Sequence, residues 1–238
     1  MGPAVRGDYL WGLGRALALP AWIVGFSLLG VGSLARDAGH PLGAAVLSTI
    51  LIWAAPAQLI LYGTLASGGL LVAAALAVAL SAIRLLPMTL SIWPYLRRPG
   101  QPLALQLLMA HLVAATTWID ATRHLPGMEP DRRVPYFLGF ASGCMAVSAA
   151  MTAIGFLLVG ALPAPLAAGL LCLTPLYFMI SLAGSARGAT DWLALTLGVV
   201  LVPVAQVTVG KDFDLLATGL VGGTAAFLLR RVFPGRVA

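Results

Sequence analysis

The sequence predicts an all-α, polytopic membrane protein of about eight transmembrane helices, some of them broken or re-entrant. Three observations carry that expectation. Only 9% of the residues are charged against 60% hydrophobic, too little charge to cover a water-soluble surface. The apolar residues fall in runs of roughly 20, the length that crosses a bilayer core as a helix. The connections between runs, such as "RDAGHP", "RRPGQP" and "PGMEPDRR", are short and rich in turn formers, and leave no loop long enough for a soluble catalytic domain.

The first run covers about residues 16–36. It follows Arg6 and Arg15 and ends in "GSLA", but its length is that of a full span, which predicts an uncleaved first helix. "MGPAVR" lacks the Ser or Thr of a myristoylation site. The second run, about 41–66, holds "WAAPAQLILYG". There Pro56 removes a backbone hydrogen bond and frees a carbonyl, Ala54, Ala55 and Ala57 admit a close neighbour, and Gln58 adds a donor and an acceptor. The stretch reads as a polar site or as a Pro-kinked packing helix with Gln58 bonded to a neighbour. The glycine pairs at Gly68 and Gly222 read as packing or turn features.

The third run, about 69–93, contains "SAIRLLPMTLS". Arg84 stands about ten residues from either end, roughly 15 Å of helix. A guanidinium at that depth costs at least a few kcal/mol unless it faces a wet cavity or an acidic partner. Snorkelling is the alternative, strained over such a distance. Pro87 and Pro94 predict a broken or re-entrant segment. The fourth run, about 102–125, holds "AHLVAATTWIDATRH", in which spacings of three and four put Thr116, Asp120, Arg123 and His124 on one face, with Thr117 adjoining. Asp120 is the candidate partner of Arg84; the alternative is a pair with Arg123 or His124 near the helix end. His111 falls on nearly the opposite face, against a relay with Asp120.

Four further runs lie near 134–160, 163–184, 190–210 and 212–231. "CLTPLY", with Thr174 and Pro175, is the counterpart of the Pro56 segment. Cys144 and Cys172 lie inside apolar runs and read as small buried hydrophobes. Laying "HPLGAAVLSTILIW" over "APLAAGLLCLTPLY" pairs Pro41 with Pro165, Leu42 with Leu166, Leu47 with Leu171 and Trp53 with Tyr177, and a small gap brings Arg84 opposite Gln206. The expected organisation is a single transmembrane domain over 1–238, with possible repeat halves 16–98 and 134–231 linked by a helix at 102–125. Apolar low-complexity sequence also produces such matches, and a true repeat would favour a transporter.

The net charge of +6 comes from 14 scattered basic residues that form no stripe to track a phosphate backbone, so no nucleic-acid partner is expected. It reads as a topology signal. A cytoplasmic N-terminus puts Arg6, Arg15, Arg123, Arg132, Arg133, Arg187, Arg230, Arg231 and Arg236 inside, and only Arg36, Arg97, Arg98 and Lys211 outside. Arg97 and Arg98 run against this rule unless the third segment is broken or re-entrant. With no Walker loop, zinc-type spacing or nucleophile elbow, neither an enzyme nor a metal or other cofactor is expected.

The order "PAWIVGFSLLGVGSLARDAG", "LSTILIWAAPAQLILYG", "SAIRLLPMTLS", "HLVAATTWIDAT" resembles the AzlC family, the large subunit of branched-chain amino-acid exporters, over nearly the whole chain. "AAPAQ" is similar to the family's Gly-Ala-x-Gln segment and "SAIRLLPMTLS" to its Asn-x-Arg-His-x-Leu segment, so Gln58 and Arg84 take the places of its Gln and Arg. Pro56 stands for the Gly, Ala82 for the Asn and Leu85 for the His, and the acidic pair after the fourth span is reduced to Asp120. These departures bear on the substrate rather than the fold. The resemblance implies a gradient-driven secondary exporter of branched-chain or other small neutral amino acids in a bacterial inner membrane, with a small hydrophobic AzlD-type partner subunit. The candidate substrate or translocation residues are Pro56, Gln58, Arg84, Thr116, Thr117, Asp120 and Gln206. The alternatives are a permease for another small organic solute and a non-transporting assembly subunit in which Arg84 and Asp120 form a structural pair.

Overall fold

The computed structural model describes residues 3–66, 68–158, 189–208 and 214–232 continuously, and isolated positions between 165 and 188. Most of the sixth expected span, with Leu171, Cys172, Thr174, Pro175 and Tyr177, lies outside the described residues, as do Arg187, Lys211, Arg236 and the side chains of Arg230 and Arg231. The described residues form helices and no strand. The chain divides into two units, Met1–Tyr177 and Phe178–Ala238.

The first unit is organised around α9 (Pro130–Leu157), a continuous helix of 28 residues that is apolar enough to cross a membrane. Running parallel to it are α1 (Pro3–Ala18) and α2 (Pro20–Asp37), bent by 56° at Leu19. Glycines set the approach. A Cβ on Gly12 would strike the Tyr136 carbonyl, one on Gly139 the Tyr9 carbonyl, one on Gly32 the Thr152 carbonyl and one on Gly155 the Leu29 carbonyl. Backbone thus meets backbone at two levels, the small-residue packing that membrane helices use where lipid supplies no hydrophobic drive. Between these contacts Leu28, Val31, Phe137, Phe140 and Cys144 form the buried core.

The second expected span does not cross. It splits into α3 (Leu42–Ile52) and α4 (Ala55–Ala66) at Trp53, whose φ of 42° is left-handed. The helices then fold back to back. Gln58 and Tyr62 of α4 both bond Ser48 of α3, and the Tyr62 ring lies 5.3 Å from that of His40, just before α3. Both ends of this hairpin therefore lie toward the Leu157 end of α9, with its tip at the level of Ser148, which accepts from Trp53 Nε1 at 3.1 Å. The break expected at Pro56 falls earlier, at Trp53–Ala54, and Pro56 occupies the first turn of α4, where no intrahelical partner awaits its missing N–H.

The third segment is broken and crosses. α5 (Leu71–Ala82) and α6 (Leu85–Leu96) bend by 50° at Ile83–Arg84 rather than at Pro87, which lies in the first turn of α6. The end of α6 reaches the Pro130 end of α9: Arg98 Nη1 bonds Asp131 Oδ1 at 2.8 Å and the Arg133 guanidinium lies 5.5 Å from the Tyr95 ring centre. This corrects the expectation that set Arg97 and Arg98 opposite Arg132 and Arg133. The second segment doubles back instead of crossing, so the third runs in the opposite direction to the one expected.

The fourth segment also doubles back, as α7 (Leu103–His111) and α8 (Ala115–His124) with 109° between them. It leaves from and returns to the Pro130 end, where His124 meets Arg15 of α1. A 3-10 turn at Leu125–Gly127 joins it to α9. The two hairpin tips touch: His111 Nε2 bonds the Ile50 carbonyl at 2.9 Å. That carbonyl lies in the last turn of α3, where intrahelical donors run out, and the imidazole supplies one.

In the second unit α10 (Ala189–Thr208), long and apolar enough to cross a membrane, packs against α11 (Asp214–Val232). Gly222 faces Leu197 and Leu201, a packing role, whereas Gly68 has φ +78° and makes a turn.

Candidate functional site

Three sets of polar groups lie within the apolar helices of the first unit. The first is the seam between α3, α4 and α9. Ser48 Oγ donates to the Ala45 carbonyl at 2.8 Å, so it accepts from Gln58 Nε2 (2.8 Å) and Tyr62 OH (2.7 Å). Gln58 Nε2 also donates to Thr49 Oγ1 at 2.9 Å, which lies 2.8 Å from Thr152 Oγ1. These bonds orient the amide and leave the Gln58 Oε1 atom, fully buried, with no partner among the described residues. Buried acceptors are nearly always satisfied, so Oε1 is an open valence beside the hairpin tip. Pro56, two residues away, is exposed.

The second is the α5–α6 break. Arg84 is half-buried at the start of α6, about 11 residues and some 16 Å of helix from Tyr95, which marks the Pro130 end. Among the described residues it makes no hydrogen bond and no ion pair. Ala82 and Ile83 before it and Leu86 after it are exposed. At the break the Leu86 N–H donates to the Ile83 carbonyl at 3.0 Å, and Pro87 has no N–H to offer.

The third is the Asp120 cluster. Asp120 does not pair with Arg84. It accepts from Tyr136 OH at 2.8 Å, and its Oδ1 lies 3.1 Å from His124 Nδ1. His124 Nε2 is in turn 2.9 Å from Arg15 Nη2. Of the readings open from spacing, His124 lies within pairing distance of Asp120 and Arg123 acts on it by charge, while a further cation, Arg15 of α1, reaches it through the imidazole. Thr117 is buried and caps its own helix: its Oγ1 accepts from the Ala114 N–H at 2.8 Å. Thr116 is buried beside it. Gln206 is exposed in the second unit.

Sequence reasoning missed Ser48, Thr49, Tyr62, Thr152, Tyr136 and Arg15. The "LST" of α3 and the spacing of four from Ser148 to Thr152 were available signals for the seam. For Arg15 there was none, because its partner lies 109 residues away.

A comparison with protein families finds a match to the model described as AzlC protein over residues 17–162, which spans α2 to α9 and includes Gln58, Arg84 and Asp120 but not Gln206. No curated protein and no solved structure matches the chain.

Proposed function

The chain belongs to the AzlC family of membrane proteins associated with branched-chain amino-acid transport, and from that premise we propose that it is the permease subunit of a secondary exporter of branched-chain or similar small neutral amino acids. The observation that carries the reading is Arg84. A guanidinium held at a helix break in the middle of a span, with no protein partner among the described residues, is a cation kept for a solute anion. An amino-acid carboxylate fits it. The apolar side chains around Arg84 suit an aliphatic side chain. Gln58 Oε1, an acceptor without a donor, suits the solute's ammonium group or a water that serves it.

The Pro130 end of the first unit carries Arg6, Arg15, Arg97, Arg98, Arg123, Arg132 and Arg133, and the Leu157 end carries Arg36, so we assign the former to the cytoplasm of a bacterial inner membrane. A small hydrophobic AzlD-type subunit is the proposed partner, and co-purification of the two chains tests it.

Efflux of valine and leucine from preloaded cells or vesicles carrying the full chain and its partner tests the function. Arg84→Ala is expected to lower efflux about tenfold or more, and Arg84→Lys to retain part of it as a point charge. Undiminished efflux from Arg84→Ala removes Arg84 from the mechanism. A second reading, export of another small organic anion or zwitterion, is favoured by Ala82 and Leu85, which replace polar residues of the family pattern on either side of Arg84. Competition by unlabelled solutes in the same assay separates the two.

A further inference from the structure

The Asp120 cluster contains more than a carboxylate and its partners; donor and acceptor bookkeeping fixes the state of His124. Arg15 has only donors to offer. Its Nη2 lies 2.9 Å from His124 Nε2, so that nitrogen is the acceptor and carries no proton. The ring proton is then on Nδ1, which faces the Asp120 carbonyl at 3.0 Å and Oδ1 at 3.1 Å, both acceptors. A second proton can go only to Nε2, where it turns an acceptor into a donor pointing at donors. Proton and Arg15 therefore exclude one another at this atom.

We propose that His124 is a proton-binding site at which a proton from the Pro130 end and the guanidinium of Arg15 compete, and that their exchange couples proton entry to separation of α1 from α8. The inference rests on the transporter reading above and supplies its coupling ion. In the exchange a hydronium O–H bond breaks and an Nε2–H bond forms, while the Arg15 N–H···Nε2 hydrogen bond is released. The side chain of His124 is 29% exposed against 11% for Asp120, so a proton reaches the imidazole first. The titratable and charged groups around the His124–Asp120 pair are Arg123 on α8, Arg15 on α1 and, on α9, Tyr136, whose ring centre lies 6.1 Å from that of His124, and the buried Cys144. From α6, the side chain bonded to α8 is Ser91, uncharged, on Trp118. The site is built to react mechanically: α1 is clamped on α9 through Gly12 and Gly139, and α8 hangs on the α7 hairpin whose tip reaches Ile50.

Nitrogen-15 NMR of the full chain with its partner in lipid nanodiscs tests this. The chain has three histidines, and a His124→Gln variant identifies the relevant signals. Expected are a neutral Nδ1–H tautomer at alkaline pH, and a change in the Arg15 side-chain resonances over the same pH interval in which His124 Nε2 gains its proton. Arg15 resonances that stay constant while His124 titrates, or an Nε2–H neutral tautomer, overturn the proposal. In vesicles, efflux is expected to respond to an imposed pH gradient by up to about tenfold per unit, as for one titrating proton. The response is expected to fall below about twofold in Arg15→Gln and His124→Gln while solute exchange without a gradient persists; a full gradient response in both variants also overturns it. Should no amino acid be carried at all, the transport reading fails while the NMR result still stands or falls by itself.

Discussion

Asp120 and Arg84 are both charges carried into apolar helices, and the fold treats them in opposite ways. Asp120 is enclosed by groups from three helices: His124 on its own, Tyr136 on α9 and Arg15 of α1 through the imidazole. Arg84 stands at the open break of α5–α6 with no partner among the described residues. A buried charge with partners costs most when one partner is removed, whereas a charge without partners holds nothing in place and is a functional group by default. The contrast teaches that a charge in this fold is held either by protein partners or kept open at a helix break, and that only the first kind ties helices together.

Stability measurements can break or sharpen that contrast. Asp120→Ala strands Tyr136, His124 and Arg15, and is expected to cost about 3–5 kcal/mol, read as a lowered unfolding midpoint in detergent; an unchanged midpoint would sink the view that the cluster ties α1, α8 and α9 together. Gly139→Ala drives a methyl into the Tyr9 carbonyl and is expected to cost about 1–3 kcal/mol. If it is tolerated freely, α1 is not clamped where the geometry puts it. Gln58→Leu removes two donated hydrogen bonds but also the bare Oε1 atom, so a loss of about 1 kcal/mol is expected. A larger loss would mean that Oε1 has a resident partner such as bound water. Arg84→Ala is expected to change stability by less than about 0.5 kcal/mol. Equal losses at Arg84 and Asp120 would erase the distinction between them.

The all-helical, membrane-spanning class was legible because composition and run length depend on residue type alone. The breaks were legible in kind but not in place. Pro56 and Pro87 suggested kinks at themselves, yet each lies in the first turn of the helix that follows a break, as Pro20 and Pro130 also open helices. Early helix positions have no partner for an N–H, so proline costs nothing there and marks the start of a half-helix. The doubling back of "LSTILIWAAPAQLILY" was not legible, because counting apolar residues cannot distinguish a crossing from a hairpin of the same length. What revealed it was hydrogen bonding between residues 48 and 58. Arg84 and Gln58 stood out as polar residues in apolar runs; Arg15 did not, since its place beside His124 depends on α1 lying along α9.

The glycine contacts between α9 and the first two helices carry a consequence for biosynthesis. Gly32 and Thr152 are separated by about 120 residues, which at 5–20 residues per second takes a ribosome roughly 6–24 s to traverse. For that interval α1 and α2 are already made while the backbone surface they are shaped to receive does not yet exist. Until α9 emerges these small-residue faces lie against lipid or the insertion machinery, so the centre of the first unit closes only when α9 is made.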